Sequence, residues 1–393
     1  MKPSFSRIIK PITVAVLMAT GVMSMNIAQA KQTNMCPTLD GKAPIVIAHR
    51  GASGYMPDHT LEGYTRAVEL GADYFEPDLV STKDGVLIAR HEPNLKDTTD
   101  IATRPEFAKY KRTVEVDGKA EEGWFANDLT YAQIQTLRAK QPMAQRSQQY
   151  NGQFKIASLE EVLQLREQLS RETGRTIGVY PETKHPAWHH DLGLGFEDKL
   201  VNILKKHGLN RANAPVYIQS FELTNLKALK KMTKVPLIYL LDADDVNKDG
   251  SIATIRPYDF VKQGDTRTYA DMLKPENLKE VAKVANGIGP WKVYVASYRT
   301  DADGTTHRLP ATDLVKRAHD LNLKVHLYTF RNEAKHLTSD DKGDPYNEYA
   351  AFFATGIDGL FSDYTDTAVA ARNKFCQVQI GRASCRERVS SPV

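Results

Sequence analysis

His49, Arg50, Glu76, Asp78 and His91 each stand at or just beyond a short apolar run, and these residue types are the ones that move protons and bind anions or hard cations. Imidazole titrates near neutral pH, so His49 and His91 are candidates for base and acid. Either one alone is as readily a structural histidine; it is the pair, at neighbouring strand ends around two carboxylates, that carries the argument. In an extended segment alternate side chains share a face, which sets Glu76 and Asp78 on one side and Pro77 on the other. Two adjacent carboxylates repel, and a bound divalent cation is a common reason for the arrangement. All-oxygen donors select calcium or magnesium, with calcium the expectation. Val179-Tyr180-Pro181-Glu182-Thr183-Lys184 offers a third carboxylate, Glu182, and on the same face Lys184, a cation for an anionic substrate. A plain Glu182–Lys184 ion pair is the alternative. Arg50 presents a planar cation suited to bidentate phosphate recognition, against a surface salt bridge.

These side chains need strand ends to hold them. Strand-like runs occur at Ile45 to Ala48, Tyr74 to Val80, Ile177 to Tyr180, Val216 to Gln219, Leu237 to Leu241, Val293 to Ala296, Val325 to Tyr328 and Gly359 to Phe361, with Val86 to Ala89 pairing locally on the second. Helical periodicity separates them, in Phe196 to Leu209, Leu223 to Met232, Asn277 to Ala285, Thr312 to Asn322 and Tyr346 to Thr355. Ser158 with Glu161 forms a capping-box start, and Gly174 ends that helix. Eight strands alternating with helices predict a closed (β/α)8 TIM barrel, whose chemistry sits at the C-terminal strand ends. Gln219, Tyr328, Phe330 and Phe361 occupy such ends. Gln219 is a candidate substrate contact, and the three aromatics either pack in the core or wall a site. Leu95 to Lys155, about sixty residues, is too long for one strand-to-helix step. It reads as an insertion over one mouth of the barrel, with Trp124, Phe125 and Tyr131 packing by default.

Both ends differ from the middle. Lys2, Arg7 and Lys10, the apolar Ile12 to Met25 and Ala28-Gln29-Ala30 read as a secretory signal over residues 1–30, implying an exported, periplasmic protein without stable membrane insertion. Residues 380–393 resemble translated adapter sequence, which leaves 31–379 as one barrel domain. The formal charge of +4 loses three from residues 1–30 and two from 380–393, leaving −1. Nothing basic remains to indicate nucleic acid. Of three cysteines, Cys36 and Cys376 are placed to join the two ends of an exported domain, with two free thiols as the alternative. Asp245-Val246-Asn247-Lys248-Asp249-Gly250 imitates the start of a calcium loop, but Arg256 stands where the closing glutamate belongs, which favours an acidic surface turn. His185, His189 and His190 read as a polar rim.

His49-Arg50-Gly51, Pro57-Asp58-His59-Thr60, Glu76-Pro77-Asp78, His91-Glu92-Pro93 and Pro181-Glu182-Thr183-Lys184 resemble, in order, the motifs of the glycerophosphodiester phosphodiesterase family, especially its exported bacterial branch. Gln219-Ser220-Phe221, Tyr328-Thr329-Phe330-Arg331 and Asp358-Gly359-Leu360-Phe361-Ser362-Asp363 extend the likeness, which runs from about Ile45 to Arg372. The resemblance implies a barrel with an insertion after the second strand, His49 and His91 as acid and base, Glu76, Asp78 and Glu182 as metal ligands, and Arg50 and Lys184 as phosphate contacts. It implies hydrolysis of a small glycerophosphodiester to glycerol 3-phosphate and an alcohol through a cyclic phosphate. Asp58 and Glu92 depart from the family's more frequent glutamate and aspartate. A phospholipase on the same barrel calls for an exposed apolar rim, whereas this insertion is mainly polar. A periplasmic binding protein for the same diesters needs no acid and base.

Overall fold

The computed structural model describes residues 36–389, with side chains described to residue 377; the expected signal lies outside that range, and of residues 380–393 only backbone to Val389 is described. Eight strand positions form a ring: β1 (Ile45–Ala48), β2 (Tyr74–Phe75 and Asp78–Ser81), β3 (Gly178–Val179 and Glu182–Thr183), β4 (Ile218–Ser220), β5 (Leu237–Leu241), β6 (Gly287–Pro290), β7 (Lys324–Phe330) and β8 (Gly359–Ser362). Each pairs in parallel with the next, and β8 pairs with β1, so the sheet closes. β2 and β3 are broken at Pro77 and Pro181, residues that have no N–H to give a ladder. Eight helices follow the strands in turn: α1 (Leu61–Glu69), α2 (Leu159–Thr173), α3 (Glu197–Lys206), α4 (Leu223–Lys230), α5 (Pro275–Val284), α6 (Leu314–Asp320), α7 (Pro345–Phe353) and α8 (Thr365–Val389). The Ser158–Glu161 capping box opens α2, and Gly174 at φ +64° closes it. This is the (β/α)8 barrel.

Alternation along each strand sorts the core into two shells. Val46, Ala48, Phe75 and Leu327 pack outward against the helices, while Ile47, Tyr180, Ile238 and Phe361, with Tyr74, Tyr217 and Tyr328, fill the barrel. Tyr180 Oη and His326 Nδ1 share a hydrogen bond of 2.7 Å inside this plug. An aromatic, close-packed floor therefore underlies the polar groups at the C-terminal strand ends.

The sixth strand differs from the sequence expectation. Val293 to Ala296 does not form it: Lys292–Tyr294 is a 3-10 turn, with Val293 and Val295 buried against the core. The strand is Gly287–Pro290. A Cβ on Gly287 would lie 2.8 Å from Lys324 O, and one on Gly289 would lie 2.6 Å from Leu240 Cδ2. Close approach between neighbours selects glycine there, and glycine carries no strand propensity for a sequence pattern to detect.

Leu87–Ala89 pairs antiparallel with β2, as the sequence indicated. The insertion that follows builds its own apolar cluster, in which Leu95, Ile101, Phe107, Trp124, Ile134 and Leu137 pack with Val80 and Ile88 of the barrel, and Tyr131 rests on it. Phe125 packs with Val116 and Trp188. The aromatics of the insertion thus serve packing. A hairpin, Arg112–Val116 with Lys119–Gly123, projects from it through an Asp117-Gly118 turn in which both residues have positive φ. Asp245–Val246 and Ile252–Ala253 form a second short hairpin, so the calcium-loop imitation is a surface turn.

Cys36 and Cys376 are bonded, with Cα atoms 5.8 Å apart and 340 residues between them, tying the start of the domain to α8. Closing so long a loop restricts the unfolded chain strongly. Cys376→Ser is expected to lower unfolding free energy by about 2–5 kcal/mol, read from denaturant melts under non-reducing conditions; an unchanged midpoint would contradict the bridge.

Candidate active site

The ends of β1, β2, β3 and β4 converge on one buried polar cluster. Glu76, Asp78 and Glu182 each offer an oxygen, and these oxygens lie within 4.8 Å of one another. Pro77 and Pro181 interrupt the strands without reversing the alternation, so Glu76 with Asp78, and Glu182 with Lys184, share faces as their spacing required. All three carboxylates are buried.

Neighbours hold the three apart in protonation. Burial, and then the charges of Asp78 and Glu182, push Glu76 well above the usual carboxylate range. Glu182 is pushed up to about 7 by burial, with Lys184 opposing and Asp78 adding. Burial acts the same way on Asp78, but the hydrogen bond of His59 and the positive charge of Arg50 hold it below its ordinary value. His59 Nε2 donates to Asp78 Oδ2 at 3.0 Å while Tyr64 Oη lies 2.9 Å from its other ring nitrogen. Gln219 Nε2 donates to Glu76 Oε1 at 2.6 Å, and the Arg50 amide donates to Glu76 Oε2 at 3.0 Å. Asp78 Oδ1 and Glu182 Oε1 are buried without any hydrogen-bond partner. Lys184 Nζ stands 3.1 Å from Glu182 Oε1, outside hydrogen-bond geometry. Two orphaned carboxylate oxygens within a three-carboxylate cradle fit a hard divalent cation.

The histidines flank this cradle in matching ways. His49 Nδ1 donates to Asp363 Oδ1 at 2.5 Å, leaving Nε2 facing Glu76 Oε2 at 3.9 Å. His91 Nδ1 lies 2.7 Å from Glu92 Oε1, and its Nε2 is 3.2 Å from Lys184 Nζ. In both rings a carboxylate fixes the outer nitrogen and turns Nε2 to the cavity. Burial lowers the pKa of both, with Asp363 opposing at His49; at His91, where Arg50 and Lys184 add to burial, it falls to about 3.

Arg50 has φ +59° and Gly51 φ +89°, a left-handed turn at the end of β1 in which a Cβ on Gly51 would come 3.0 Å from Gly63 C. The turn points the guanidinium across the site, with Nη1 donating to Asp58 Oδ2 at 3.2 Å and Nε 3.7 Å from Asp78 Oδ2. The shorter Asp58 therefore still reaches Arg50. A cavity of about 750 Å³ opens over the cluster, lined by His49, Arg50, His91, Lys184, Gln219, Tyr328 and Phe361 among others.

Phe330 is not part of that wall. Its ring packs outward on Tyr349 at 5.1 Å and Phe352 at 5.2 Å, fully buried. Period-2 alternation from His326 and Tyr328 places it inward, but the pairing of β7 with β8 shifts register between Leu327 and Phe330 and turns it to the helices. The histidine trio also divides. His185 reaches the rim, His189 is buried and accepts from the Ser81 amide at 3.3 Å, and the exposed His190 pairs with the buried Glu197.

Several supporting residues carried no role in the sequence analysis. Asp363 holds His49 and is itself held by Arg146 Nη2 at 2.6 Å and Arg331 Nε at 2.8 Å. Arg146 belongs to the insertion, which thereby buttresses β8. On the other side His185 Nδ1 lies 2.6 Å from Asp117 Oδ2 and its Nε2 3.0 Å from Glu92 Oε2, clasping the hairpin to the group that orients His91. Asp363 and Glu92 stood in quoted motifs; nothing in the sequence paired Arg146 or Asp117 with them.

A parallel barrel with acidic and histidine groups at its C-terminal strand ends defines a (β/α)8-barrel enzyme. Residues 49–367 match the model of the glycerophosphoryl diester phosphodiesterase family. A glycerophosphodiester phosphodiesterase of Arabidopsis thaliana is 38% identical over 351 residues, 86% of this chain and 88% of that protein. One from Haemophilus influenzae is 30% identical over 374 residues, 90% of this chain and 96% of its own. Two solved structures share the fold: a glycerophosphodiester phosphodiesterase from Agrobacterium tumefaciens (TM-score 0.52, 17% identity, 83% and 99% of the two chains) and an Oleispira antarctica phosphodiesterase in complex with the product sn-glycerol-3-phosphate (0.51, 19%, 86% and 99%). The chain belongs to the glycerophosphoryl diester phosphodiesterase family and is a phosphoric diester hydrolase.

The clasp has a pH signature. Burial alone would lower His185, but the hydrogen bonds of Asp117 and Glu92 outweigh it and raise the ring to about 9, so the stabilisation is complete below about pH 6.5 and is lost as pH rises through about 9. His185→Ala is expected to cost about 1.5–3 kcal/mol locally, read as faster amide exchange in residues 112–123; exchange equal to wild type at pH 6 would count against the clasp.

Proposed function

We propose that the protein hydrolyses glycerophosphodiesters to glycerol 3-phosphate and an alcohol, with a divalent cation in the Glu76–Asp78–Glu182 cradle and with His49 and His91 as acid and base. The observation that carries this reading is the opposed pair of imidazoles, each with Nδ1 tied to a carboxylate and Nε2 facing the cavity, on either side of the three-carboxylate cradle. The cation, when bound, would supply positive charge to a phosphoryl oxygen, a Lewis-acid role that calcium fills as readily as magnesium. Calcium remains the preferred ion because a carboxylate set of this kind tolerates irregular geometry.

The side chains account for the rest. Arg50 and Lys184 flank the cradle and take the anionic phosphodiester, while Tyr328 and Phe361 offer apolar faces to the glycerol carbons. One imidazole takes the proton of the glycerol hydroxyl next to the ester oxygen as that oxygen bonds to phosphorus. The bond from phosphorus to the alcohol breaks, and the alcohol oxygen receives a proton from Nε2 of the other ring, which enters the step as the imidazolium while the first is neutral. Water then opens the cyclic phosphate with the proton roles reversed, restoring both rings. Gln219, which holds Glu76, contributes by fixing a ligand and by its second amide atom, Oε1, which has no partner.

We also read the protein as exported to the periplasm. Support comes from the charged, apolar and small-residue segments of residues 1–30 and from the Cys36–Cys376 bridge, which suits an oxidising compartment. Among the described residues no helix is long and apolar enough to cross a membrane.

The purified protein is expected to release glycerol 3-phosphate from glycerophosphocholine with calcium, to lose that activity in chelator, and to lose about 10²–10⁴-fold in kcat as His49→Ala. Asp363→Asn, which keeps the shape but reverses the hydrogen bond to Nδ1, is expected to lower kcat more than it raises KM. Release that survives both chelator and His49→Ala would overturn the mechanism; tight diester binding with no release would make the protein a binding protein.

A further inference from the structure

Asp78 has one oxygen engaged and the other without a partner. Its Oδ2 lies 3.0 Å from His59 Nε2 and 3.7 Å from Arg50 Nε, while Oδ1 accepts no hydrogen bond. Rotation of the carboxylate about its own axis would exchange the two. Whatever holds Oδ2 therefore decides which oxygen the cradle receives.

His59 is itself held on several sides. It is fully buried and has φ +58°, a left-handed conformation disfavoured for any residue with a Cβ. Its amide donates to Arg50 O at 2.9 Å. The carbonyl before it, Asp58 O, accepts from Arg90, a buried guanidinium that also donates to Ala89 O at 2.6 Å and Thr98 O at 3.2 Å. These bonds strap the strained turn to the end of β1 and to the segment that leads into His91. Beyond the ring, Tyr64 Oη lies 2.9 Å from His59 Nδ1, and the Tyr64 ring is stacked on Phe75 at 4.7 Å, the residue before Glu76. An ionised carboxylate only accepts, so Nε2 carries the hydrogen. Burial disfavours a second proton on the ring, against the pull of Asp78, which makes Nδ1 the acceptor and Tyr64 the donor. The chain thus runs one way, from Oη–H to Nδ1 and from Nε2–H to Asp78 Oδ2. Neither nitrogen of His59 is left to bind a cation itself.

Resting on the reading above that a divalent cation occupies the cradle, we propose that His59, with its tautomer set by Tyr64, is a positioning residue for that cation: it occupies Asp78 Oδ2 and so presents Oδ1 as the ligand atom. A carboxylate tied at one oxygen has given up its rotation before the cation arrives, so ordering it does not oppose binding. The strapped turn serves the same end, since the ring it aims has no other hydrogen-bond partner than Asp78 and Tyr64 among the described residues. Tyr64 acts only through the imidazole, because without its Oη the buried Nδ1 has no donor and the ring is pinned at one end alone.

The test is calorimetric titration of chelator-treated protein with calcium and with magnesium, in the absence of substrate, following whichever ion wild type binds more tightly. His59→Ala is expected to raise Kd about 10–100-fold. His59→Gln, whose amide N–H stands in for Nε2–H, is expected to recover most of that loss. Tyr64→Phe is expected to raise Kd several-fold in the wild-type background and to leave it unchanged in the His59→Gln background, where no tautomer needs setting. Should His59→Ala fold poorly, Tyr64→Phe in those two backgrounds decides, since it removes one oxygen and keeps the stacked ring. An unchanged Kd in His59→Ala, or a Tyr64→Phe effect of equal size in both backgrounds, would overturn the positioning role and leave the diesterase reading standing. Failure of wild type to bind either ion would overturn the role together with the cation reading on which it rests.

Discussion

Three carboxylates brought within 4.8 Å of one another in a water-poor strand-end pocket repel, and the surrounding structure is organised around that repulsion. His59 anchors Asp78, Gln219 and the Arg50 amide anchor Glu76, and Lys184 stands over Glu182. Asp78 Oδ1 has no such partner, and Glu182 Oε1 has only the Lys184 ammonium beside it, outside hydrogen-bond geometry; these oxygens make the cluster a cradle. The same electrostatics acts on the histidines. Burial lowers both rings, with positive charge from Arg50 and Lys184 adding to it at His91 and Asp363 opposing it at His49.

Around this centre the insertion after β2 acts as a brace. Arg146, from its base, grips Asp363 just past β8 and so reaches His49, and its hairpin meets His185 and through Glu92 reaches His91. A segment with its own apolar cluster thus secures both rings from opposite sides of the mouth. Its polar composition follows from that duty, since the side chains that reach the barrel do so by charge-assisted hydrogen bonds. The departures from the family's more frequent residues are absorbed in the same way. Glu92 spans both His91 and His185, and Asp58 still meets Arg50.

Much of this was legible in the sequence because it is local. Alternation put Glu76 with Asp78 and Glu182 with Lys184, the capping box at Ser158 and Gly174 fixed the ends of α2, and seven of the eight strand positions followed from apolar runs. The failures share one cause. Gly287–Pro290 is a strand because it pairs with β5 and β7, whose side chains and backbone leave room only for glycine at 287 and 289, and Phe330 faces the helices because the β7–β8 register slips. Neither closeness nor register between distant segments is written in a local pattern.

The sequence by itself determined the kind of chemistry, since it holds the histidines, carboxylates and cations at spacings that extended backbone converts into shared faces. Only the tertiary structure decided which oxygen atoms remain unpartnered and which carboxylate orients each imidazole. These depend on contacts between residues up to 314 positions apart, as in the His49–Asp363 pair, and such contacts are fixed by ring closure and packing.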